Sequence, residues 1–315
     1  FERDMGNSNP HGFGYRSTAE DVSAGVDLSG KIAIVTGANV GIGRETARVL
    51  ALRGARVIIG CRDVTKGTTA AAEIAAEAGV EAENVEFLQL DLNSFESVRA
   101  FSKSFLDKNI NLDLLILNAG IMIPPFGLTV DGFESTFGVN HLGHFLLTQL
   151  LIEKLKASAP ARIVALSSAG HSMGNESVLT LVREEKEYSK ARAYGNSKLA
   201  NILFALELNH RLHGTNVSVN SVHPGVIDTE LARSSFLANI FYKVSYPFLK
   251  SIPQGAATTV FVATHPSVTP ENSGKYYADS QIAPTSSYGS DLDLASRLWT
   301  LSEQLTGVTF LAPVE

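Results

Sequence analysis

A chain of 315 residues, 44% apolar and 18% charged, fits one large α/β domain or two small ones and excludes a disordered chain. Its formal net charge of -6 excludes a general attraction to nucleic acid or to an anionic membrane surface. The single cysteine, Cys61, excludes an intramolecular disulfide and a thiolate metal cluster, a usage that suits a reducing, cytoplasmic setting.

Residues 1–29 are polar, rich in Gly and Ser, and carry neither a sustained period nor the apolar centre of a secretory signal. They predict an irregular N-terminal arm before a domain over 30–315. Lys31 to Thr36 (KIAIVT) is a β-branched run that stops at glycine and reads as a buried strand. Arg44 to Arg53 has a helical pattern, with Ala47, Leu50 and Ala51 on one side. Ala55 to Gly60 gives the next strand, and the alanine-rich Thr69 to Ala78 the next helix. Val85 to Leu90, Leu112 to Leu117, Arg162 to Ser167 and Asn216 to Val222 are further strands. Ser94 to Leu106, Phe133 to Lys156 and Tyr194 to Leu212 are the helices between them. This alternation predicts βαβ units and a parallel sheet in a single α/β domain. Two segments break the rhythm: the polar connection Gly170 to Arg192, and Val226 to Pro253, rich in Phe, Leu and Tyr. No segment reaches the ~20 apolar residues of a transmembrane helix.

The chemistry concentrates at strand ends. KIAIVT runs into Gly37, Gly41 and Gly43 and then a helix, the arrangement that holds a pyrophosphate against a helix N-terminus. The second strand ends at Cys61-Arg62 without the carboxylate that reads a free ribose 2′-hydroxyl. Arg62 reads either as a partner for a 2′-phosphate or as a solvated surface arginine, with Lys66 a weaker helper and Asp63 a helix cap. Asp91, with Leu92, is placed to reach an adenine or to cap the turn before Asn93-Ser94. Asn118 and Gly120 close the fourth strand beside the same crevice. Tyr194 and Lys198 stand one helical turn apart, so the ammonium is expected to lower the tyrosine pKa. Ser167 and Ser168 end the fifth strand, one able to face a carbonyl oxygen while the other satisfies backbone. His171 reads as an ordinary polar loop residue, and the His141, His144 pair lacks a third metal ligand.

TGANVGIG (36–43), NAG (118–120), Asn140, Ser168, YGNSK (194–198) and PGVIDT (224–229), in this order, resemble the classical short-chain dehydrogenase/reductase family over about residues 30–300. GARVIIGCRD (54–63) and the long gap from Ser168 to Tyr194 are similar to its retinol-dehydrogenase-like and WW-domain oxidoreductase-like branch, catalytic domain only. The resemblance implies a Rossmann-type doubly wound parallel sheet flanked by helices. It implies a catalytic set of Asn140, Ser168, Tyr194 and Lys198, with Tyr194 as acid/base and Asn140 anchoring the water of a proton relay. For the cofactor it implies Gly37, Asn39, Gly41, Ile42, Gly43, Asn118, Ala119, Gly120, Tyr194 and Lys198, with Pro224, Gly225 and Thr229 at the nicotinamide. Relatives preferring NADP often have a basic residue before the middle glycine, where this chain has Val40. Preference for NADP(H) over NAD(H) therefore falls to Arg62, with Arg44 nearby.

The expected activity is NAD(P)-dependent interconversion of a carbonyl and an alcohol on a small-molecule substrate. Phe236, Leu237, Ile240, Phe241, Tyr242, Tyr246, Phe248 and Leu249 read either as a lid (about 226–253) over a bulky apolar substrate or as a packing or dimer helix. A homodimer or homotetramer is implied by the family alone. The alternatives are a catalytically silent nucleotide-binding interaction protein and an NAD-retaining epimerase or dehydratase on the same fold.

Overall fold

The computed structural model describes residues 11–227 and 249–310. Thr229 and the candidate lid residues Phe236, Leu237, Ile240, Phe241, Tyr242, Tyr246 and Phe248 lie outside the described residues.

The six expected strands form, and two more join them. In chain order these are β1 (Ile32–Thr36), β2 (Arg56–Cys61), β3 (Val85–Gln89), β4 (Leu114–Leu117), β5 (Ala161–Leu166), β6 (Val217–His223), β7 (Tyr276–Ala278) and β8 (Gln281–Ile282). They build one sheet in the order β3-β2-β1-β4-β5-β6-β7-β8, parallel except for the β7–β8 hairpin. The order reverses between β1 and β4, so a crevice opens there beyond the carboxyl ends of the strands.

The central strands β1 and β4 are almost wholly apolar because both faces of the sheet are covered. Ala33, Val35, Val57, Ile59, Leu114 and Ile116 point into one core, and Ile34, Ile58, Leu115 and Leu117 into the other. The first core is closed by α2 (Gly41–Leu52), α3 (Val64–Ala78) and α8 (Ile252–Thr264), through residues such as Leu50, Ile74 and Phe261. The second is closed by α4 (Phe95–Leu106), α6 (Gly143–Ala157), α7 (Lys190–Arg211) and α9 (Leu292–Thr306), through Phe101, Phe145, Phe204 and Trp299. Burying each such side chain contributes roughly 1.5–3 kcal/mol, which fixes the sheet as the rigid base of the crevice.

Three departures from the sequence expectation bear on the site. The arm is not wholly irregular: α1 (Ala19–Val22) forms behind a Thr18 capping box and buries Ala19 and Val22 in the first core. The helix expected over Phe133 to Lys156 is interrupted. It runs as α5 (Ser135–Phe137), a π-helical turn (Gly138–Leu142) and α6, with the Gly143 N–H donating to the Gly138 carbonyl. Such a bulge inserts one residue and re-aims its neighbours, here Asn140. Finally, α2 starts at Gly41, so two of the three glycines lie inside its first turn. No helix among the described residues is long and apolar enough to cross a membrane.

Candidate active site

The glycine turn is shaped by what a side chain there would strike. Gly37 has φ 67°, and a Cβ on it would stand 2.8 Å from the Ala119 Cα. A Cβ on Gly43 would lie 2.5 Å from the Gly37 carbonyl oxygen and would overlap Asn118 Nδ2. Gly41, at φ 60°, faces open space. The first turn of α2 has no side-chain cap and no acidic residue, so its leading N–H groups and positive dipole end remain available to an anion. This cradle fits a dinucleotide pyrophosphate. Asn39 and Ile42 flank it, both partly buried.

Behind the turn lies a saturated polar joint that sequence reasoning missed. The Thr36 hydroxyl accepts from the N–H groups of Asn118 at 2.9 Å and Ala119 at 3.0 Å. Its own proton goes to His144 Nε2 at 2.9 Å, because His144 Nδ1 faces the Asn140 carbonyl at 3.2 Å and must be the protonated nitrogen. Asn118 Nδ2 donates to the Thr36 carbonyl at 2.8 Å. Strands β1 and β4 and the π turn are thus locked together at the crevice. Nothing in the spacing of Thr36 and His144 announces this contact, which spans β1 and α6.

The residues expected to carry the acid/base chemistry converge at the ends of β4 and β5. Asn140 is fully buried; its Oδ1 accepts from the Ile121 N–H at 2.8 Å, and its Nδ2 donates to the Ile121 carbonyl and to Ser197 Oγ, both at 3.0 Å. A Cβ on Gly120 would stand 3.2 Å from Asn140 Oδ1 and 3.4 Å from Lys198 Nζ, so the bare glycine is what brings these two groups side by side. Lys198 Nζ donates to the Leu166 carbonyl at 3.2 Å, and burial pushes its pKa down to about 8. Ser167 turns inward and donates to the Lys198 carbonyl at 2.7 Å, whereas Ser168 accepts from the Gly170 N–H at 3.1 Å and hydrogen-bonds Tyr194. The two serines divide their tasks as alternation requires.

The expected downward shift of Tyr194 is not the net direction here. Burial raises its pKa, the Ser168 hydrogen bond works against that, and Lys198 Nζ stands 5.8 Å from the ring centre. Burial outweighs the favourable contacts in this geometry.

His171 is also more than a loop residue. It is buried, its Nε2 accepts from the Ser286 N–H at 3.1 Å, and its Nδ1 therefore donates to the Ser168 carbonyl at 2.7 Å. His223 Nδ1 accepts from the N–H groups of Ala169 and Gly225, each at 3.3 Å, joining the loops after β5 and β6. Pro224 and Gly225 follow it, Gly225 at φ 94°. His141 meets Ser302 Oγ at 2.9 Å, so the imidazoles of His141 and His144 serve separate partners.

The turn after Ser168 is pressed onto α7. A Cβ on Gly195 would stand 2.9 Å from both the Gly174 nitrogen and the Met173 carbonyl carbon. Gly195→Ala is expected to destabilise the fold by ~1–3 kcal/mol through overpacking. Calorimetry should show the melting temperature several degrees lower; an unchanged value would mean that the turn yields freely.

Arg62 is exposed at the tip of β2, and among the described residues only its carbonyl is engaged, by Gln89 Nε2 at 3.1 Å. Arg44 is not available to help it: its guanidinium is held by Glu77 at 2.8 Å and Glu73 at 3.1 Å on α3. Asp63 caps α3 by accepting from the Lys66 N–H at 2.9 Å. Asp91 Oδ1 accepts from the Asn93 N–H at 3.0 Å, the turn geometry, and Leu92 is buried beneath it against Gly143.

A family model for short chain dehydrogenases matches residues 31–239. The chain belongs to the short-chain dehydrogenase family. This short-chain dehydrogenase is 49% identical over 283 residues to retinol dehydrogenase 12 of Mus musculus, covering 90% of this chain and 88% of that protein. It is 45% identical over 310 residues to the chloroplastic short-chain dehydrogenase TIC 32 A of Brassica napus, covering 95% of this chain and 96% of that one. Among solved structures, the RhlG/NADP active-site complex of Pseudomonas aeruginosa superposes with a TM-score of 0.64 at 26% identity, covering 80% of this chain and 96% of that one. The protein is an oxidoreductase of the retinol-dehydrogenase-like branch, a group that interconverts carbonyls and alcohols with NAD(P)(H).

Proposed function

We propose that this enzyme reduces or forms a carbonyl on a bulky apolar substrate, prefers NADP(H), and uses Tyr194 as its acid/base. The observation that carries the proposal is the cluster of Ser168, Tyr194, Lys198 and Asn140 at one strand-end crevice, with Ser168 on the tyrosine hydroxyl and Lys198 beside Asn140. When bound, the nicotinamide cofactor supplies or takes up the hydride. In the reducing direction Tyr194 gives its proton to the substrate oxygen, and the Ser168 hydroxyl donates to that oxygen as negative charge develops. Lys198 holds positive charge behind the tyrosine and donates to the nicotinamide ribose. Asn140, fixed by Ile121 and Ser197, supports the route by which Tyr194 is reprotonated. Gly37, Asn39, Gly41, Ile42 and Gly43 hold the pyrophosphate; Asp91 and Leu92 serve the adenine; Asn118, Ala119 and Gly120 line the passage between them. Pro224 and Gly225, with Thr229, serve the nicotinamide.

Support for an apolar substrate comes from the crevice rim and from the mouse relative, a retinol dehydrogenase. Met173 carries its methyl group toward Gly170, whose own Cα face lies against the Tyr194 ring. Nearby in sequence to Gly120, Ile123 is 41% exposed, an apolar side chain left at the surface of the loop after β4. Calorimetric titration with NADPH and NADH, followed by hydrophobic and small polar carbonyls with the preferred cofactor, tests the proposal. Better kcat/KM on the polar set would sink the apolar-substrate part.

Cofactor choice has its own test in Arg62. Its guanidinium is unpaired among the described residues, and strand β2 ends at Cys61 without a carboxylate. Arg62→Asp is expected to weaken NADPH binding by about 10- to 100-fold, the worth of a lost charge-assisted contact, while NADH binding holds or improves. Equal affinities of wild type and variant for NADPH would remove Arg62 from the cofactor site.

A further inference from the structure

The loop that follows β6 rests on a buried cation to which the proposed function gives no task. Lys250 is 1% exposed; its Nζ lies 2.5 Å from Asp279 Oδ1 and 4.9 Å from the centre of the Tyr15 ring. Its stem runs directly under the active-site loop. A Cβ on Gly225 would stand 2.6 Å from Lys250 Cδ, so a side chain at 225 and the lysine stem exclude one another. The backbones are joined as well: the Lys250 N–H donates to the Val226 carbonyl at 2.9 Å, and Ile227 and Lys250 form a parallel bridge.

Asp279 reaches this lysine from the far side. Asp279 and Ser280, at φ 51° and 60°, are the two central residues of the β7–β8 hairpin, a turn that needs both in the left-handed region. The Ser280 N–H donates to Thr258 Oγ1 at 3.1 Å, which fixes the turn to α8. Lys250 is therefore a strut between the loop 224–227 and an anchored hairpin. His223 holds the loop's other end through the Gly225 N–H.

A buried ammonium is a poor way to gain stability, since an apolar side chain of similar size packs there without desolvation. Its better-attested use is to select one geometry. We propose that Lys250, through its ion pair with Asp279, is a positioning residue that sets the Pro224-Gly225 backbone against the nicotinamide end of the cofactor. The inference rests on the dehydrogenase reading, which brings a nicotinamide to that loop.

The test compares two ligands by calorimetry in wild type, Lys250→Met and Asp279→Asn: the preferred dinucleotide, and the ADP-ribose fragment carrying the same 2′ group but no nicotinamide. Both variants should bind the dinucleotide about tenfold more weakly, within the range of couplings between residues in contact, and bind the fragment as wild type does. Lys250→Arg, which keeps the charge, should recover part of the loss. Equal weakening of both ligands would reduce Lys250 to a structural role, and unchanged binding of both would remove the role altogether; either result overturns the inference. Should Lys250→Met fail to fold, Asp279→Asn carries the same comparison, because its side chain is 45% exposed. Wild-type protein that binds neither NADPH nor NADH would instead overturn the dehydrogenase reading itself, and the inference with it.

Discussion

Tyr194→Phe is expected to lower kcat/KM by ~10²–10⁴-fold, the usual worth of a positioned general acid or base. The substitution removes one hydroxyl and little else. The ring lies against the bare face of Gly170, where a Cβ would stand 2.9 Å from Tyr194 Cε1, and a phenylalanine ring fills that place equally well. The lost contact is the hydrogen bond with Ser168, which a half-exposed serine can replace with water. Cofactor affinity and melting temperature should therefore stay close to wild type while turnover collapses. Affinity is the informative control, since a loss of both would point to a displaced α7 and not to lost proton transfer. A variant that turns over a confirmed substrate near the wild-type rate would leave Tyr194 a spectator. Wild-type protein that binds cofactor yet turns over no carbonyl or alcohol would favour a silent binding protein.

The strands and the glycine turn were legible because each is a local matter. KIAIVT and ARVIIG are β-branched runs of strand length, and both of their faces are buried, so no alternation had to be resolved. Gly37 and Gly43 were readable because the turn into α2 admits no side chain at either position. The order of Ser168, Tyr194 and Lys198 along the chain was legible for the same reason, each falling at a strand end or on one helix face. What escaped depended on distant partners. The π turn contains no proline, and Gly138 and Gly143 at its ends do not by themselves announce it; it forms where Asn140 finds the Ile121 backbone and Ser197. Helix α8, IPQGAATTVFVAT, is rich in apolar and β-branched residues and is buried on every side from residue 255 to 264, which hides its period. Strand β7 has three residues, too few for any pattern, and pairs only because β6 offers an edge. Helix α9 carries local signals, an Asp291 N-cap and Gly307 in the left-handed region, but lies past the last strand expected from the sequence. The tasks of Thr36, His144, His171, His223 and Lys250 exist only once strands far apart in sequence meet. The charge state of Lys198 likewise follows from burial, which no spacing encodes.

Burial also predicts a steep loss of stability in mild acid. His141 is held at about 3, and His144 and His223 at about 4, against an ordinary value of 6.5; desolvation is the largest cause for each. His144 and His223 also have a hydrogen-bonding reason to stay neutral. His144 Nε2 must accept from Thr36, and His223 Nδ1 must accept from Ala169 and Gly225, roles that a protonated ring nitrogen cannot fill. The unfolded chain takes up these protons as pH falls through 6.5, whereas the folded chain declines them until near 4 or below. Between those limits the unfolded state binds more protons, so stability rises with pH and drops as acid is added. The loss approaches roughly 1.4 kcal/mol per pH unit for each histidine, a large fraction of the ~5–15 kcal/mol that holds a domain. The loss is absent above neutrality and ends once the folded groups themselves titrate. Exposed carboxylates with lowered pKa, such as Asp21 and Glu77, act only at lower pH, so they do not mask it. Thermal melts at pH 7, 6 and 5 should show a steep fall, and His144→Gln, which keeps a donor and an acceptor, should flatten the slope. A melting temperature equal at pH 7 and 5 would mean that these imidazoles accept protons in place, and that the joint between Thr36 and the π turn is looser than its geometry indicates.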